Sequence, residues 1–165
     1  EANYYVMRHW AEIYGGAMGT MLPDCFTSEV FFRNFSLDMA KLYDGVRHDS
    51  GDPIAFGEKM IAKYESYHID PRTKSIVFSD SLDFDRALEI HNYFKDRIGV
   101  SFGIGTNLTN DVGTSKPLNI VMKLKTFQVN PRQHIYRCVK LSDVPGKEIG
   151  DPDEVHSYKV ILGLI

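Results

Sequence analysis

An alternation running from Leu42 to Thr106 restricts this 165-residue sequence more than any other feature. Short apolar runs take turns there with longer stretches whose apolar residues recur every three or four positions. Leu42, Tyr43 and Val46 predict a short buried approach, a strand ending at Val46 or Arg47. Residues Ile54 to Tyr67 predict a helix with Phe56, Met60, Tyr64 and Tyr67 on one side, closed by Asp70-Pro71. Within Ser75 to Ser79, Ile76-Val77-Phe78 is a brief continuous run of the kind found in strands buried on both faces. Ser81 or Asp83 then opens a helix with Phe84, Ala87, Leu88, His91 and Phe94 at spacings of three and four, and Gly99 to Phe102 is the next strand. Strand, helix, strand, helix, strand is the rhythm of a parallel sheet or a β/α barrel, whose chemistry sits at the carboxyl ends of the strands.

The flanks fit around this centre. Glu1 begins within a helical pattern carrying Ala2, Val6, Trp10 and Ile13 as an apolar stripe that has to bury against something, and Gly15-Gly16 ends it. Gly19 to Leu22 reads as a short strand with Pro23 to Thr27 as its exit loop. Thr27 then caps a helix bearing Val30, Phe31 and Phe35, and Ser36 caps another through Leu42. Beyond the centre the pattern changes. Ile120, Met122 and Leu124 alternate with Val121, Lys123 and Lys125, predicting a strand with one drier face, paired with Ile135 to Leu141 across the Asn130-Pro131 loop. A closing helix follows from Asp153. A 43% hydrophobic composition supports one real core, and a formal charge of −3 argues against a nucleic-acid surface built on bulk positive charge. No apolar run nears the roughly 18 to 20 residues of a membrane span. Cys25 and Cys138 stand far apart without metal-like spacing, so they read as free thiols of a cytoplasmic protein.

Four predicted strand ends lead into polar loops: Asp24 with Thr27, Arg47 to Asp52, Ser79-Asp80, and Gly103 to Asn107. The second is densest, with Arg47, His48, Asp49, Ser50, Gly51 and Asp52 in succession. Pro53 presets φ for a first helical turn, and Asp52 is the natural cap of that turn. Arg47 offers a planar fork for a carboxylate or phosphate, or a structural salt bridge. His48 titrates near neutrality and suits a general base, or stands beside Asp49 as an oriented, hydrogen-bonded loop residue. Asp49 and Asp80 suit ribose hydroxyls or Mg²⁺ through water, or cap helices. Gly103 and Gly105 let the backbone approach a ligand and Thr106 adds a hydroxyl, an arrangement fit for a phosphate monoester or an ordinary tight turn.

Taken in order and at their separations, Gly45 to Pro53, Phe78-Ser79-Asp80, Ser101 to Leu108, and Lys116-Pro117-Leu118-Asn119-Ile120-Val121 resemble the C-terminal part of the bacterial nicotinate phosphoribosyltransferase family. Leu141-Ser142-Asp143 and Pro145-Gly146-Lys147 are similar to it too. The resemblance implies an α/β fold: the C-terminal portion of an irregular β/α barrel of the type II phosphoribosyltransferase kind, followed by a β-hairpin and a closing helix. Residues 1–118 would belong to the barrel. Residues 119–165 would pack on the barrel or on an N-terminal domain, with the site completed across a homodimer. It further implies condensation of nicotinate with phosphoribosyl pyrophosphate to nicotinate mononucleotide in NAD salvage, coupled to ATP hydrolysis through a phosphohistidine and assisted by Mg²⁺. Arg47 would face the nicotinate carboxylate, and Gly103, Gly105 and Thr106 would cradle the 5′-phosphate. Asp49 and Asp80 would act catalytically near ribose or pyrophosphate, with Ser50, Gly51 and Ser79 on the phosphoribosyl side. Asp24 matches a polar position after an earlier strand. No residue is assigned as a metal ligand.

The departures from the family pattern matter. The His-Glu motif that carries the family's phosphohistidine has no counterpart here, so neither His9 nor His48 inherits that role. The aromatic cover of the nicotinate ring is missing as well. The chain therefore resembles a fragment expected not to turn over alone. Two alternatives stay open: a nicotinamide- or quinolinate-using relative, and a non-catalytic phosphate-binding barrel module.

Overall fold

In the computed structural model, residues 2–15, 17–110, 112–113, 115–118 and 120–165 are described. The expectations placed on Glu1, Gly16 and Asn119 fall outside them. The frame is a four-stranded parallel sheet, β1 (Thr20–Met21), β2 (Gly45–His48), β3 (Ser75–Phe78) and β4 (Gly99–Phe102), in the spatial order β1-β2-β3-β4. Val46 lies level with Ile76 and Val100, and His48 level with Phe78 and Phe102. Side chains alternate across a strand, so these two rows share one face of the sheet.

That face carries the core. Helix α4 (Pro53–Ser66) lays Phe56, Met60 and Tyr64 on it, and α5 (Phe84–Phe94) lays Ala87, Ile90 and Phe94 on it. Asp52 starts α4 by accepting from the Ala55 N–H at 2.6 Å, with Pro53 in its first turn, and Asp83 starts α5 by accepting from the Arg86 N–H at 2.7 Å. The two helices meet at Gly57, where an added Cβ would lie 2.3 Å from the Phe94 ring. The opposite face is made of Gly45, Arg47, Ser75, Val77, Gly99 and Ser101. It is small, polar and partly open, so β3 is not buried on both faces as its apolar run predicts.

Other expectations shift by a face or a few residues. Helix α1 (Ala2–Tyr14) turns Tyr4, Met7 and Ala11 to the core, with the Tyr43 hydroxyl donating to the Met7 carbonyl at 2.6 Å. The expected stripe through Val6 and Ile13 is exposed, because α1 carries apolar residues on two faces and tertiary packing selects one. On α5, likewise, Phe84 and Leu88 are exposed while Ile90 is buried. Two short helices, α2 (Ser28–Asn34) and α3 (Leu37–Leu42), bridge β1 to β2. Thr27 caps α2 at φ 78°, its hydroxyl accepting from the Val30 N–H.

After the one-turn α6 (Thr106–Thr109), residues 120–125 form no strand, and Ile120, Val121, Met122 and Leu124 are exposed. An alternating pattern needs a surface to bury against, and none covers this stretch. The antiparallel pair lies further on, β5 (Thr126–Phe127) with β6 (Tyr136–Arg137). Helix α7 (Pro152–Ile161) follows. This C-terminal stretch packs near the β1 end of the sheet: Phe26 stacks on Tyr158, and Arg33 donates to the Leu162 carbonyl at 2.7 Å. Among the described residues no helix is long and apolar enough to cross a membrane.

Candidate functional site

Parallel strands deliver their carboxyl ends to one edge, and here the ladder continues past them. The Ser79 N–H donates to the His48 carbonyl at 3.0 Å and the Gly103 N–H to the Phe78 carbonyl at 2.8 Å. The first loop residues of β2, β3 and β4 therefore stand side by side. Arg47, Asp49 and Ser79 form one cluster at this edge. The Arg47 Nε donates to Ser79 Oγ at 2.8 Å, and its Nη2 donates to Asp49 Oδ1 at 2.9 Å. Ser79 Oγ lies 2.9 Å from both Asp49 Oδ1 and the His48 carbonyl, so its single proton serves one of them. The guanidinium is fixed on two sides while its side chain stays 48% exposed. Among the described residues its Nη1 has no hydrogen-bond partner.

Arg47 and His48 are strand residues rather than loop residues, and alternation sends them to opposite faces. His48 is 2% exposed and packs between Phe56 and Phe78, with ring centroids at 5.1 and 5.7 Å. Among the described residues its Nε2 has no hydrogen-bond partner. Burial pushes its pKa down, and the nearby Asp80 and Asp143 carboxylates pull less strongly the other way. The His48 ring therefore lies on the helix face of the sheet, on the opposite side from the Arg47 guanidinium.

Asp24 and Ser50 belong to a buried polar link. In the 3₁₀ turn Asp24–Phe26, Asp24 Oδ2 accepts from Lys140 Nζ at 3.0 Å and from Ser50 Oγ at 3.3 Å. Among the described residues its Oδ1 has no hydrogen-bond partner. Gly51 takes φ 87°, the left-handed turn between buried Ser50 and the cap Asp52. Asp80 sits at the mouth, its side chain 22% exposed, with Ser81 Oγ at 3.1 Å and Lys147 Nζ at 3.8 Å. A Cβ on Gly103 would come within 3.2 Å of the Ser79 Cβ, whereas Gly105 faces open space. Thr106 begins α6, and Asn107 donates to the Leu82 carbonyl at 2.9 Å, tying that loop to the one after β3.

Three carboxylates at this edge thus each face a cation: Asp24 with Lys140, Asp49 with Arg47, and Asp80 with Lys147. Sequence reasoning singled out neither lysine as a site residue. Lys140 falls inside the predicted strand Ile135 to Leu141, and Lys147 lies 67 positions beyond Asp80, with no periodic signal to link either to its carboxylate. Among the described residues no cluster of three or more His, Cys, Asp or Glu is arranged to hold a metal by itself. The arrangement suits an anionic ligand with one planar carboxylate or phosphate, in reach of hydroxyl acceptors and open backbone.

Comparison with known proteins gives consistent matches. The model of the nicotinate phosphoribosyltransferase (NAPRTase) family matches residues 1–163. A nicotinate phosphoribosyltransferase of Desulforapulum autotrophicum is 50% identical over 161 residues, covering 97% of this chain and 41% of that protein. One of Chromohalobacter salexigens is 49% identical over 164 residues, covering 99% and 41%. The crystal structure of nicotinate phosphoribosyltransferase from Porphyromonas gingivalis superposes with a TM-score of 0.92 at 50% identity, covering 98% of this chain and 42% of that one. The chain spans about two fifths of the length of these relatives.

Proposed function

We propose, because this chain belongs to the nicotinate phosphoribosyltransferase family, that it supplies the phosphoribosyl-binding part of an enzyme joining nicotinate to phosphoribosyl pyrophosphate. The observation that carries this reading is the Arg47–Ser79–Asp49 cluster, held at the edge where the Gly103–Thr106 loop emerges. In the reaction the nicotinate ring nitrogen gives its lone pair to C1 of the ribose. The bond from C1 to the pyrophosphate oxygen breaks, and pyrophosphate leaves with that electron pair. The transition state is oxocarbenium-like, so positioning and neutralisation of charge contribute most.

Each residue then has a task. Arg47 presents its free Nη1 side to the nicotinate carboxylate, with Ser79 and Asp49 fixing the plane of the fork. Gly103, Gly105 and Thr106 take the 5′-phosphate, where the absence of a side chain at Gly105 leaves the backbone open. Asp80 faces the ribose. Mg²⁺ fits this donor set, since it is commonly held by substrate phosphates and one or two carboxylates with water, and Asp80 is the carboxylate at the mouth. Bound there, it would spread the charge of the leaving pyrophosphate.

The same reading extends the open sheet into an irregular β/α barrel in a longer, dimeric, cytoplasmic polypeptide. ATP hydrolysis is coupled there through a phosphohistidine that none of this chain's motifs supplies, so the 165 residues alone do not turn over. Arg47→Ala in the longer polypeptide should raise the nicotinate KM roughly tenfold or more while the ATP KM moves less than about twofold, as expected for losing one charge-assisted pair. Steady-state kinetics with each substrate varied in turn reads this directly. Equal rises would make Arg47 a structural residue and remove the reading's main support.

A further inference from the structure

The reading above leaves Lys147 without a task. Residues 141–148 form a loop closed at its base by the antiparallel Lys140–Ile149 bridge, with N–H to carbonyl distances of 2.9 Å in both directions. Buried Leu141 donates its N–H to the Cys25 carbonyl at 2.8 Å. Asp143 accepts from the Ser28 N–H at 2.7 Å and from its hydroxyl at 2.5 Å. The loop is thus seated on the exit of β1 and the start of α2, and its far limb turns at Gly146, φ 82°, into Lys147.

What that limb delivers is a loosely held cation. Lys147 Nζ stands 3.8 Å from Asp80 Oδ1, and its side chain is 53% exposed. An exposed pair at that separation adds little to stability. The other two cations of this edge are engaged more closely, Lys140 at 3.0 Å and Arg47 at 2.9 Å. Asp80 lies two residues past the end of β3, beside the Gly103 turn that follows β4. A flexible ammonium at that point can exchange one anion for another without moving the backbone.

We infer that Lys147 is a substrate-binding residue that leaves Asp80 to pair with the pyrophosphate group of phosphoribosyl pyrophosphate. In leaving, it frees the Asp80 carboxylate to accept from ribose hydroxyls. No covalent bond changes in this exchange. It rests on the proposed reaction for its ligand and on the seated loop for its geometry. Phosphate oxygens carry more negative charge than one carboxylate, so the pairing shifts toward the substrate when it binds.

The test uses the longer polypeptide, titrated calorimetrically with phosphoribosyl pyrophosphate and assayed for nicotinate mononucleotide. Lys147→Ala and Lys147→Met should weaken phosphoribosyl pyrophosphate binding roughly tenfold or more. The nicotinate KM should stay within about twofold, and the melting temperature within about 2 °C. Lys147→Arg should restore most of the affinity. In an Asp80→Asn background, Lys147→Ala should still weaken binding about as much. If it does not, Lys147 serves only as the partner of Asp80 and the inference fails. An active wild type whose Lys147→Ala variant binds normally overturns the inference alone. A wild type that neither binds phosphoribosyl pyrophosphate nor forms product overturns the proposed reaction with it.

Discussion

Arg47 and His48 are adjacent in sequence and opposite in circumstance. One is pinned at the open edge by Ser79 and Asp49, and the other is sealed between Phe56 and Phe78. The sequence shows six polar or flexible residues in a row and marks a site, but it does not show where β2 ends. Extending the strand by one residue moves His48 from the loop into the core, because alternation leaves it no other face. A buried imidazole with lowered pKa binds its proton more readily in the unfolded chain, so stability should rise with pH up to the ordinary value of about 6.5. Below that value stability is lost, by at most about 1.4 kcal/mol per pH unit for this one group. Thermal unfolding followed from pH 7.5 to 5 should show the loss, and His48→Leu should flatten the pH dependence. An unchanged slope in the variant would assign the acid sensitivity to other groups.

Helices and strands of the central alternation were readable because their periods are set by burial on one sheet, and α4, β3, α5 and β4 all stand where the pattern puts them. Which face each helix buries was harder. Both α1 and α5 carry apolar residues on more than one side, and only neighbours such as Tyr43 decide between them. Residues 120–125 show the converse, an alternating pattern without a surface to receive it. The α4–α5 contact tests how tightly this layer is set. Gly57→Ala gains about 1 kcal/mol of helix propensity yet places a methyl 2.3 Å from the fully buried Phe94 ring. The clash should win, with a net loss of roughly 1–3 kcal/mol in urea unfolding. Phe94→Leu in the same chain should recover part of it. A stabilised Gly57→Ala protein would mean that the ring moves aside at little cost.

At the scale of the whole molecule, the last quarter of the chain meets the rest through the Asp143–Ser28, Phe26–Tyr158 and Arg33–Leu162 contacts, through buried Leu141, and through the pair of Lys140 with buried Asp24. Lys140→Met leaves Asp24 buried with only Ser50 for company, a loss of roughly 3–5 kcal/mol. Adding Asp24→Asn should return much of that stability, as measured by chemical denaturation of both variants. If Lys140→Met unfolds at the wild-type midpoint, the pair is dispensable. No residue pattern announces a contact between positions 116 apart in sequence, so the pairing of Asp24 with Lys140 was not legible in the sequence. The row shared by Asp49, Ser79 and Gly103 has its own corollary for how such a protein can evolve. Inserting or deleting a single residue within β3 would invert which side Ser79 points to, releasing Arg47 and turning Phe78 away from the core. Length variation at this edge should therefore accumulate outside the strands, and a lineage carrying an odd-numbered change inside β3 should have lost the hold that Ser79 keeps on the guanidinium.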